Sequence, residues 1–428
     1  MTLTEQLEKI LMSKSEEPQK EYAKTGCLLL DMLMGGNKGV FGVPFGCILG
    51  IVGDSSSGKT ALAHEITAAN YHRFKRNGVD FMYNYDPVES GSQFCTEDIW
   101  NFPQNSEYCS TTVEDLDANL TLFNRELKKQ GGYGLYIVDS IDGLTSQDSL
   151  ERGEERAKNM EKDGSASNKT GSRNIDVPAF LSKNLFRNQT KAIEESNNLF
   201  VTISQLRENM DAGLYGPKQR MSGGKALQFY QSILVWLTSV KKIKKTLNGK
   251  EYVVGSIVRA DLKKSRSPRP FRSVIYVVYW DTGISDVESS LIYLYDLLDA
   301  RYDLKAAADN IPWEVGKEPC TDSSYVDFIR DHDLTKQCKD DRKRIEDKTV
   351  GQTIPVTWAK AWINQHAPDD VRKEFIKTYG RCFSLDELCK MIEDDPEMKK
   401  ELDRRVIEKY EQTEDALLSG HKKKYGDE

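Results

Sequence analysis

The chain has 428 residues, 30% of them charged, and a formal net charge of −7 at pH 7. This length can bury one large α/β core beside a smaller module without disulfide bonds. No apolar run approaches the roughly 18 residues of a membrane span, and the N-terminus lacks a signal-peptide pattern, so we expect a cytoplasmic protein with no membrane partner. The eight cysteines form no C-x-x-C pair, which fits a reducing compartment and predicts no zinc site.

The N-terminal segment has an apolar pattern typical of a short amphipathic helix over residues 2–12. The apolar positions at helical spacing are Leu3, Leu7, Ile10 and Leu11. A polar linker follows. We expect residues 1–24 to pack on the chain's own core or on a neighbouring subunit, as a polymerisation element.

A phosphate-binding loop is indicated by the stretch GIVGDSSSGKTAL. In such a loop the backbone N–H groups turn toward the β-phosphate, Lys59 reaches the β- and γ-phosphates, and Thr60 ligates Mg²⁺. The apolar run before it predicts a buried parallel strand, and the segment after it predicts a helix that ends at Gly78. The predicted nucleotide contacts are Gly53, Asp54, Ser55, Ser56, Ser57, Gly58, Lys59, Thr60 and Ala61.

Strand and helix signals alternate through the following part of the chain and predict a mostly parallel sheet. The predicted strands are 79–86, 133–140 and 199–204. A helix capped by Thr111 and Glu114 is predicted to run to Gln130. Asn248 and Gly249 then predict an antiparallel hairpin, and a third antiparallel strand is expected within 271–284.

Two regions lack this alternation. Residues 151–174 are charged and rich in Gly and Ser, which predicts a long mobile loop. Beyond about residue 300 the chain reads as a mixed-charge helical region anchored by Trp313, Trp358 and Trp362, and its residues indicate no chemistry. We therefore predict a core over 25–300 and a C-terminal helical domain over 301–428.

Polar side chains end the predicted strands near the loop. Asp139 stands where a second carboxylate would hold Mg²⁺ through water. Asp86 ends a neighbouring strand and Glu89 lies just beyond it, and either carboxylate could orient an attacking water. Gln205 ends the next strand, where its amide could bond the γ-phosphate and move when that group leaves.

A Gly-rich basic loop, residues 206–224, follows Gln205. Basic side chains with an aromatic among them are what single-stranded nucleic acid requires. From Lys218 to Arg272 the chain is dense in Lys and Arg, opposed only by Glu251 and Asp261, and this local positive field points to a polyanionic partner. The predicted DNA contacts from this region are Arg207, Tyr215, Lys218, Arg220 and Lys225.

Together these motifs resemble the RecA family of strand-exchange ATPases over most of residues 20–285. TGCLLLDMLMGG is similar to the lead-in of that family, and the phosphate loop, YIVDSIDGL, SNNLFVTISQLR and SGGKALQFYQSILVWLTSVKKI follow in the family's order. The ends and the long insert are more similar to phage-encoded members. The resemblance implies a RecA-like P-loop core with a twisted, mostly parallel sheet flanked by helices, an antiparallel hairpin extension, and ATP with Mg²⁺ as cofactors.

The resemblance also implies functional positions. Lys264 and Arg266 match two basic residues that reach the γ-phosphate of a neighbouring subunit. Arg187, Gly223 and Gly224 match positions that contact DNA. The first DNA loop, at about 148–178, departs from the family by an insertion, so no contacts are inferred there.

The resemblance does not decide between two candidates for the catalytic base. Asp86 stands where the family has a glutamate, and Glu89 is the alternative. The function implied is an ATP-dependent recombinase that forms helical filaments on single-stranded DNA, pairs it with homologous duplex, and works with single-strand-binding and loader proteins. A hexameric helicase of the same fold, or a non-catalytic recombination mediator, are the alternative hypotheses.

Overall fold

The computed structural model describes residues 21–35, 39–89, 96–163, 177, 180–208, 219–221, 224–266, 269–298, 302, 304, 311–313, 324–338, 362–363, 366–379 and 381–418. The predicted helix at 2–12, together with Tyr215, Lys218, Gly223 and Trp358, lies outside these residues. The chain divides into two compact units. One is Met1–Val274 with Val278–Ile284, and the other is Ile275–Val277 with Ser285–Glu428.

Nine strands of the described residues form one mixed sheet in the order β11-β10-β9-β8-β3-β6-β5-β4, with β7 paired to β6. Five consecutive strands of this order, β8, β3, β6, β5 and β4, pair in parallel, which confirms the predicted α/β fold. A further pair, β1 and β2, is antiparallel. The strands are β1 Tyr22–Ala23, β2 Val43–Pro44, β3 Ile48–Gly53, β4 Phe81–Pro87, β5 Tyr133–Asp139, β6 Asn198–Glu208, β7 Gln219–Met221, β8 Ile233–Leu247, β9 Lys250–Ser265, β10 Ser273–Tyr279 and β11 Gly283–Ser285.

Helices connect these strands, and further helices follow β11. They are α1 Leu28–Gly35, α2 Lys59–Asn77, α3 Thr96–Trp100, α4 Val113–Gln130, α5 Gln147–Asp163, α6 Phe186–Glu195, α7 Gly224–Tyr230, α8 Asp286–Leu294, α9 Ser324–Asp331, α10 Asp369–Tyr379, α11 Leu385–Asp394 and α12 Pro396–Leu418. A π-helical turn, Leu181–Leu185, precedes α6 directly. Among the described residues, no helix is both long and apolar enough to cross a membrane.

The strand before the phosphate loop forms where the sequence predicts it. All six residues of β3 are buried, and β3 pairs in parallel with β6 on one side and β8 on the other. Gly58 takes a left-handed conformation, φ 89°, just before α2 begins, and Gly78 ends α2 in the same region, φ 64°. Such φ values are accessible to glycine at little cost, so the glycines bracket the helix as expected.

The start of α4 differs from the prediction by one residue. The helix is capped by Thr112, whose side chain accepts a hydrogen bond from the Asp115 backbone, and Asp115 accepts a bond from the Thr112 N–H. Thr112, like Thr111, has an acidic residue three positions later, and the side chain of Thr112 is buried in the fold. The capping box therefore forms at Thr112 and not at Thr111 with Glu114.

The hairpin forms at the predicted place. Asn248 and Gly249 both have positive φ, 51° and 75°, as a two-residue type I′ turn between antiparallel strands requires. The strands it joins, β8 and β9, are 15 and 16 residues long.

The prediction of a mobile loop at 151–174 is wrong for its first half, because α5 covers Gln147–Asp163. This helix is polar and its described side chains are mostly exposed, so it buries little apolar area. Such a helix can be supported by good helix formers and by ion pairs one turn apart. One of these pairs is Asp148 with Arg152, whose carboxylate and guanidinium groups are 3.9 Å apart. A polar composition therefore does not distinguish a loop from a solvent-exposed helix. Residues 164–174 lie outside the described ones.

The second unit has its own apolar packing. Helices α8, α11 and α12 pack together, and the side chains of Trp313 and Trp362 are fully buried. The guanidinium of Arg405 lies 4.4 Å from the centre of the Trp313 ring and is paired with Glu401 at 2.8 Å. Strands β12 (Ile311–Trp313) and β13 (Arg381–Phe383) add a short antiparallel pair.

Candidate active site

The phosphate loop holds its lysine over its own backbone. Lys59 Nζ donates hydrogen bonds to the carbonyl oxygens of Gly53, at 3.0 Å, and Asp54, at 2.8 Å. Burial lowers the pKa of Lys59, while the charges of Asp139 and Glu89 act in the opposite direction. A phosphate group entering the loop would therefore meet an ammonium group that is already in place.

Gly53 is required at the end of β3 by close packing. A Cβ at this position would lie 2.4 Å from Ser57 Oγ and 2.6 Å from the carbonyl oxygen of Leu237. The loop then turns out to solvent, with Asp54, Ser55 and Ser56 exposed and Ser57 buried. Ala61, the last predicted contact, is half-buried in the first turn of α2.

Asp139 lies beside the first turn of α2. Its Oδ2 accepts hydrogen bonds from Thr60 Oγ1, at 2.6 Å, and from the Tyr85 hydroxyl, at 3.1 Å. Burial raises the pKa of Asp139, and these two bonds act against that rise. The structure thus brings together the two residues that the sequence predicted as a metal site.

This donor set fits Mg²⁺ held mainly by nucleotide. The described residues include no group of three or more His, Cys, Asp or Glu side chains arranged to hold a metal ion by themselves. Mg²⁺ in nucleotide sites commonly uses one or two protein oxygens and takes its other ligands from phosphates and water. Thr60 donates its proton to Asp139, so its oxygen lone pairs remain suited to a cation.

Glu89 lies at the carboxyl edge of the sheet with Gln205. Its Oε1 accepts a bond from Ser140 Oγ, at 2.5 Å, and one from Gln205 Nε2, at 3.2 Å. Its backbone N–H donates to the Asp139 carbonyl oxygen at 3.2 Å. The Gln205 backbone N–H in turn donates to Asp142 Oδ2 at 2.6 Å. The ends of β4, β5 and β6 therefore form one connected polar cluster.

Asp86 lies in a different environment. It is fully buried, and its carboxylate accepts bonds from the Ser110 backbone, the Ser110 hydroxyl and the Tyr136 hydroxyl, at 2.9, 2.6 and 2.9 Å. Burial raises the pKa of Asp86. Because side chains of a strand alternate, Asp86 and Tyr85 face opposite sides of the sheet, and Tyr85 is the one that meets Asp139.

The basic pair near the end of β9 is held against α7. Lys264 Nζ donates to the carbonyl oxygens of Gln228, at 2.6 Å, and Phe229, at 2.7 Å. Burial lowers the pKa of Lys264, and the charge of Arg266 lowers it further. The Arg266 backbone N–H donates to the Ser232 carbonyl oxygen at 3.0 Å.

The described DNA-contact candidates lie on four elements, α6, β6, β7 and α7. Arg187 is exposed in the first turn of α6. Arg207 and Arg220 are directly opposite each other in the β6–β7 pair, so the two ends of the loop that follows Gln205 meet as a hairpin. Gly224 and Lys225 begin α7.

Sequence reasoning missed Tyr85, Ser140 and Asp142 in this site. Tyr85 could have been found from the period of two in β4, which sets it on the opposite face from Asp86. Ser140 directly follows the predicted metal carboxylate. Nothing in the local pattern marked Asp142, because its partner, Gln205, is distant in sequence.

Three features together define a RecA-like P-loop fold. They are the parallel strands, the phosphate loop at their carboxyl edge and the antiparallel extension of the sheet. The chain belongs to the RecA family: the family model described as the RecA N-terminal domain matches residues 7–285.

Three curated relatives, each named Protein RecA, are similar to most of the chain. The relative from Chlorobium limicola is 29% identical over 275 residues, which are 62% of this chain and 67% of the relative. The one from Borrelia turicatae is 26% identical over 328 residues, 74% of this chain and 78% of the relative. The one from Bifidobacterium longum is 27% identical over 282 residues, 64% of this chain and 61% of the relative.

Proposed function

We propose that the protein is an ATP-dependent DNA recombination and repair protein that forms helical filaments on single-stranded DNA and catalyses pairing and strand exchange with homologous duplex. The observation that carries the proposal is a series of hydrogen bonds at one sheet edge. Thr60, at the end of the phosphate loop, donates to Asp139, and the Asp139 backbone accepts from Glu89. Glu89 accepts in turn from Gln205, which directly precedes the basic loop. Family membership supports recombination, with ATP and DNA as ligands.

ATP would be bound by the loop backbone and by Lys59, which would exchange its carbonyl partners for phosphate oxygens. Thr60 and Asp139 would hold Mg²⁺, whose charge would stabilise the phosphates during transfer to water. The protein's part in this step is to present these groups already oriented by hydrogen bonds, so that little reorganisation is needed.

Glu89 is the candidate we favour for orienting the attacking water. It lies in the cluster that includes Gln205, whereas Asp86 is enclosed by Ser110 and Tyr136 on the other face of the sheet. A general base has to come within hydrogen-bond reach of the proton that it removes. Glu89 would meet that condition from its place in this cluster, beside Gln205.

Gln205 would couple the phosphate to DNA. Its side chain contacts Glu89, and its chain continues into the basic hairpin that contains Arg207 and Arg220. A γ-phosphate that competes for this amide would shift Gln205 and with it the base of the hairpin. Basic residues there, with Arg187 and Lys225, would bind the DNA backbone without sequence preference.

Lys264 and Arg266 would act across a subunit interface in the filament, on the phosphate bound by a neighbour. Lys264 is bound to α7 carbonyls in the single chain, so engagement of the neighbour would exchange those bonds for phosphate oxygens. Single-strand-binding and loader proteins are further expected partners.

The test is ATP turnover with and without single-stranded DNA, with negative-stain images taken in parallel and Lys59→Ala as control. DNA-stimulated turnover that Lys59→Ala abolishes, with helical filaments on the DNA, is the expected result. Turnover with closed rings would indicate the helicase instead. Nucleotide binding without turnover would indicate a non-catalytic mediator.

A further inference from the structure

Tyr85 donates a hydrogen bond to Asp139 but has no part in nucleotide binding as proposed above. It is 3% exposed, and its ring centre lies 4.6 Å from that of His64 on α2. Its backbone N–H donates to the Asn105 carbonyl oxygen at 2.8 Å. Both the backbone and the ring of Tyr85 are therefore held by the fold.

The two donors to Asp139 come from different kinds of element. Thr60 belongs to the first turn of α2, at the phosphate loop, and its hydroxyl is itself a metal-ligand candidate. Tyr85 comes from β4, the strand at the end of the sheet order, which pairs with β5. Because both donate to Oδ2, they set the plane of the carboxylate and so the direction of Oδ1.

A carboxylate in this position needs such support. Asp139 is almost fully buried, so the groups packed around it set the orientation of its carboxylate, and Tyr85 is one of the two that donate to it. Residues behind a metal ligand commonly orient it in this way, and their loss weakens metal affinity.

We propose that Tyr85 is a positioning residue for Asp139: its phenol O–H holds the carboxylate in the orientation that binds Mg²⁺–nucleotide. The inference rests on the proposed nucleotide function of this site. It assigns Tyr85 no contact with nucleotide itself, so its effect should be confined to the metal-dependent part of binding.

The experiment measures the affinity of the full-length protein for a fluorescent ADP analogue, once with Mg²⁺ and once with EDTA. Tyr85→Phe keeps the ring and removes one hydroxyl. With Mg²⁺ present its affinity should fall on the order of tenfold, which corresponds to a lost hydrogen bond to a charged group, and with EDTA it should equal that of the wild type. A Mn²⁺ titration followed by electron paramagnetic resonance should show the same loss of metal bound with ADP.

Tyr136→Phe is the matched control. It also removes a buried phenol that donates to a strand carboxylate, but that carboxylate is Asp86. It should lower the unfolding temperature without changing the ratio of the affinities with Mg²⁺ and with EDTA. Asp139→Asn provides a second test, because adding Tyr85→Phe to it should cause no further loss of Mg²⁺ dependence.

The outcomes separate the two proposals. A wild-type protein that binds no nucleotide would overturn the proposed function. A wild-type protein with Mg²⁺-dependent binding that Tyr85→Phe leaves unchanged, or weakens equally with Mg²⁺ and EDTA, would overturn the positioning role alone. An effect of Tyr85→Phe that persists in full on the Asp139→Asn background would also overturn it.

Discussion

At the scale of single residues, the main result is how differently two nearby carboxylates are placed. Asp86 is buried and accepts three hydrogen bonds from Ser110 and Tyr136. Glu89, only three positions later in the chain, is bonded to Ser140 and Gln205 at the sheet edge. The turn at the end of β4 separates their environments, and each carboxylate therefore leads to a different prediction.

Glu89→Gln should reduce DNA-stimulated ATP turnover by about 10²-fold or more, the range expected on losing a general base. Asp86→Asn should keep most of the turnover, because the amide can still accept from the Ser110 backbone and donate to the two hydroxyl oxygens. Turnover is measured under saturating ATP for both variants. The opposite ranking would return the catalytic role to Asp86.

Asp86 should also leave a pH signature in stability. Its pKa is raised in the folded state, so between the unfolded value, about 3.9, and the folded value the native state binds more protons than the unfolded chain. The stability contributed by protonated Asp86 is present below the unfolded pKa and is lost as pH rises through the folded pKa. Urea unfolding across this window should show the wild type losing stability relative to Asp86→Asn as pH rises. A difference independent of pH would contradict the raised pKa.

At the scale of elements, caps and turns determine where helices and strands begin and end. The capping box of α4 uses Thr112 and Asp115, although Thr111 and Glu114 have the same spacing. Thr112 is buried and Thr111 is exposed, and the buried residue, Thr112, provides the cap. Local pattern alone could not separate these two registers.

Thr112→Ala should therefore destabilise the protein by about 1 kcal/mol, the usual cost of losing a side-chain cap. Thr111→Ala is the matched control and should change the free energy of unfolding by less than about 0.5 kcal/mol, as exposed substitutions do. Chemical denaturation of both variants measures the difference. Equal costs would mean that the cap is not at Thr112.

Substitutions at two glycines test the helix at Gln147–Asp163 and the turn of the β8–β9 hairpin. Gly153 lies inside α5 without a positive φ, and a Cβ added there would meet open space, so Gly153→Ala should stabilise the protein by about 0.5–1 kcal/mol and increase helical circular dichroism. Gly249 has φ 75°, so Gly249→Ala should destabilise by a similar amount through backbone strain. If Gly153→Ala lowered the helical signal, residues 147–163 would not form a helix in solution.

At the scale of the whole molecule, charge is segregated along an acidic chain. The net charge is −7, yet the stretch from Lys218 to Arg272 has only two acidic residues. Both are engaged with basic neighbours, Glu251 with Lys244 at 2.8 Å and Asp261 with Arg259 at 3.4 Å. The remaining basic side chains of this stretch give one part of an anionic protein a positive field.

Binding to single-stranded DNA should therefore weaken steeply with salt despite the negative net charge. A plot of log affinity against log salt concentration should be linear with a negative slope, because each phosphate neutralised releases counterions. Fluorescence anisotropy with an oligonucleotide of mixed sequence, in the presence of a non-hydrolysable ATP analogue, measures it. A slope near zero would contradict a phosphate-contacting basic surface.

The sequence by itself determined the phosphate loop, the alternation of strands and helices, the hairpin turn and the pairing of Thr60 with Asp139, because each depends on local spacing or on the rule that parallel strands end at one edge. Only the tertiary structure decided that Asp86 is enclosed by Ser110 and Tyr136, that Glu89 joins Gln205, and that Tyr85 supports Asp139. The reason is physical: the partners of a side chain in a sheet come from segments that are distant in the chain. Neighbouring positions such as Tyr85 and Asp86 look equivalent in the local sequence, and the pleat of the strand and the packing around it determine which partners each one meets.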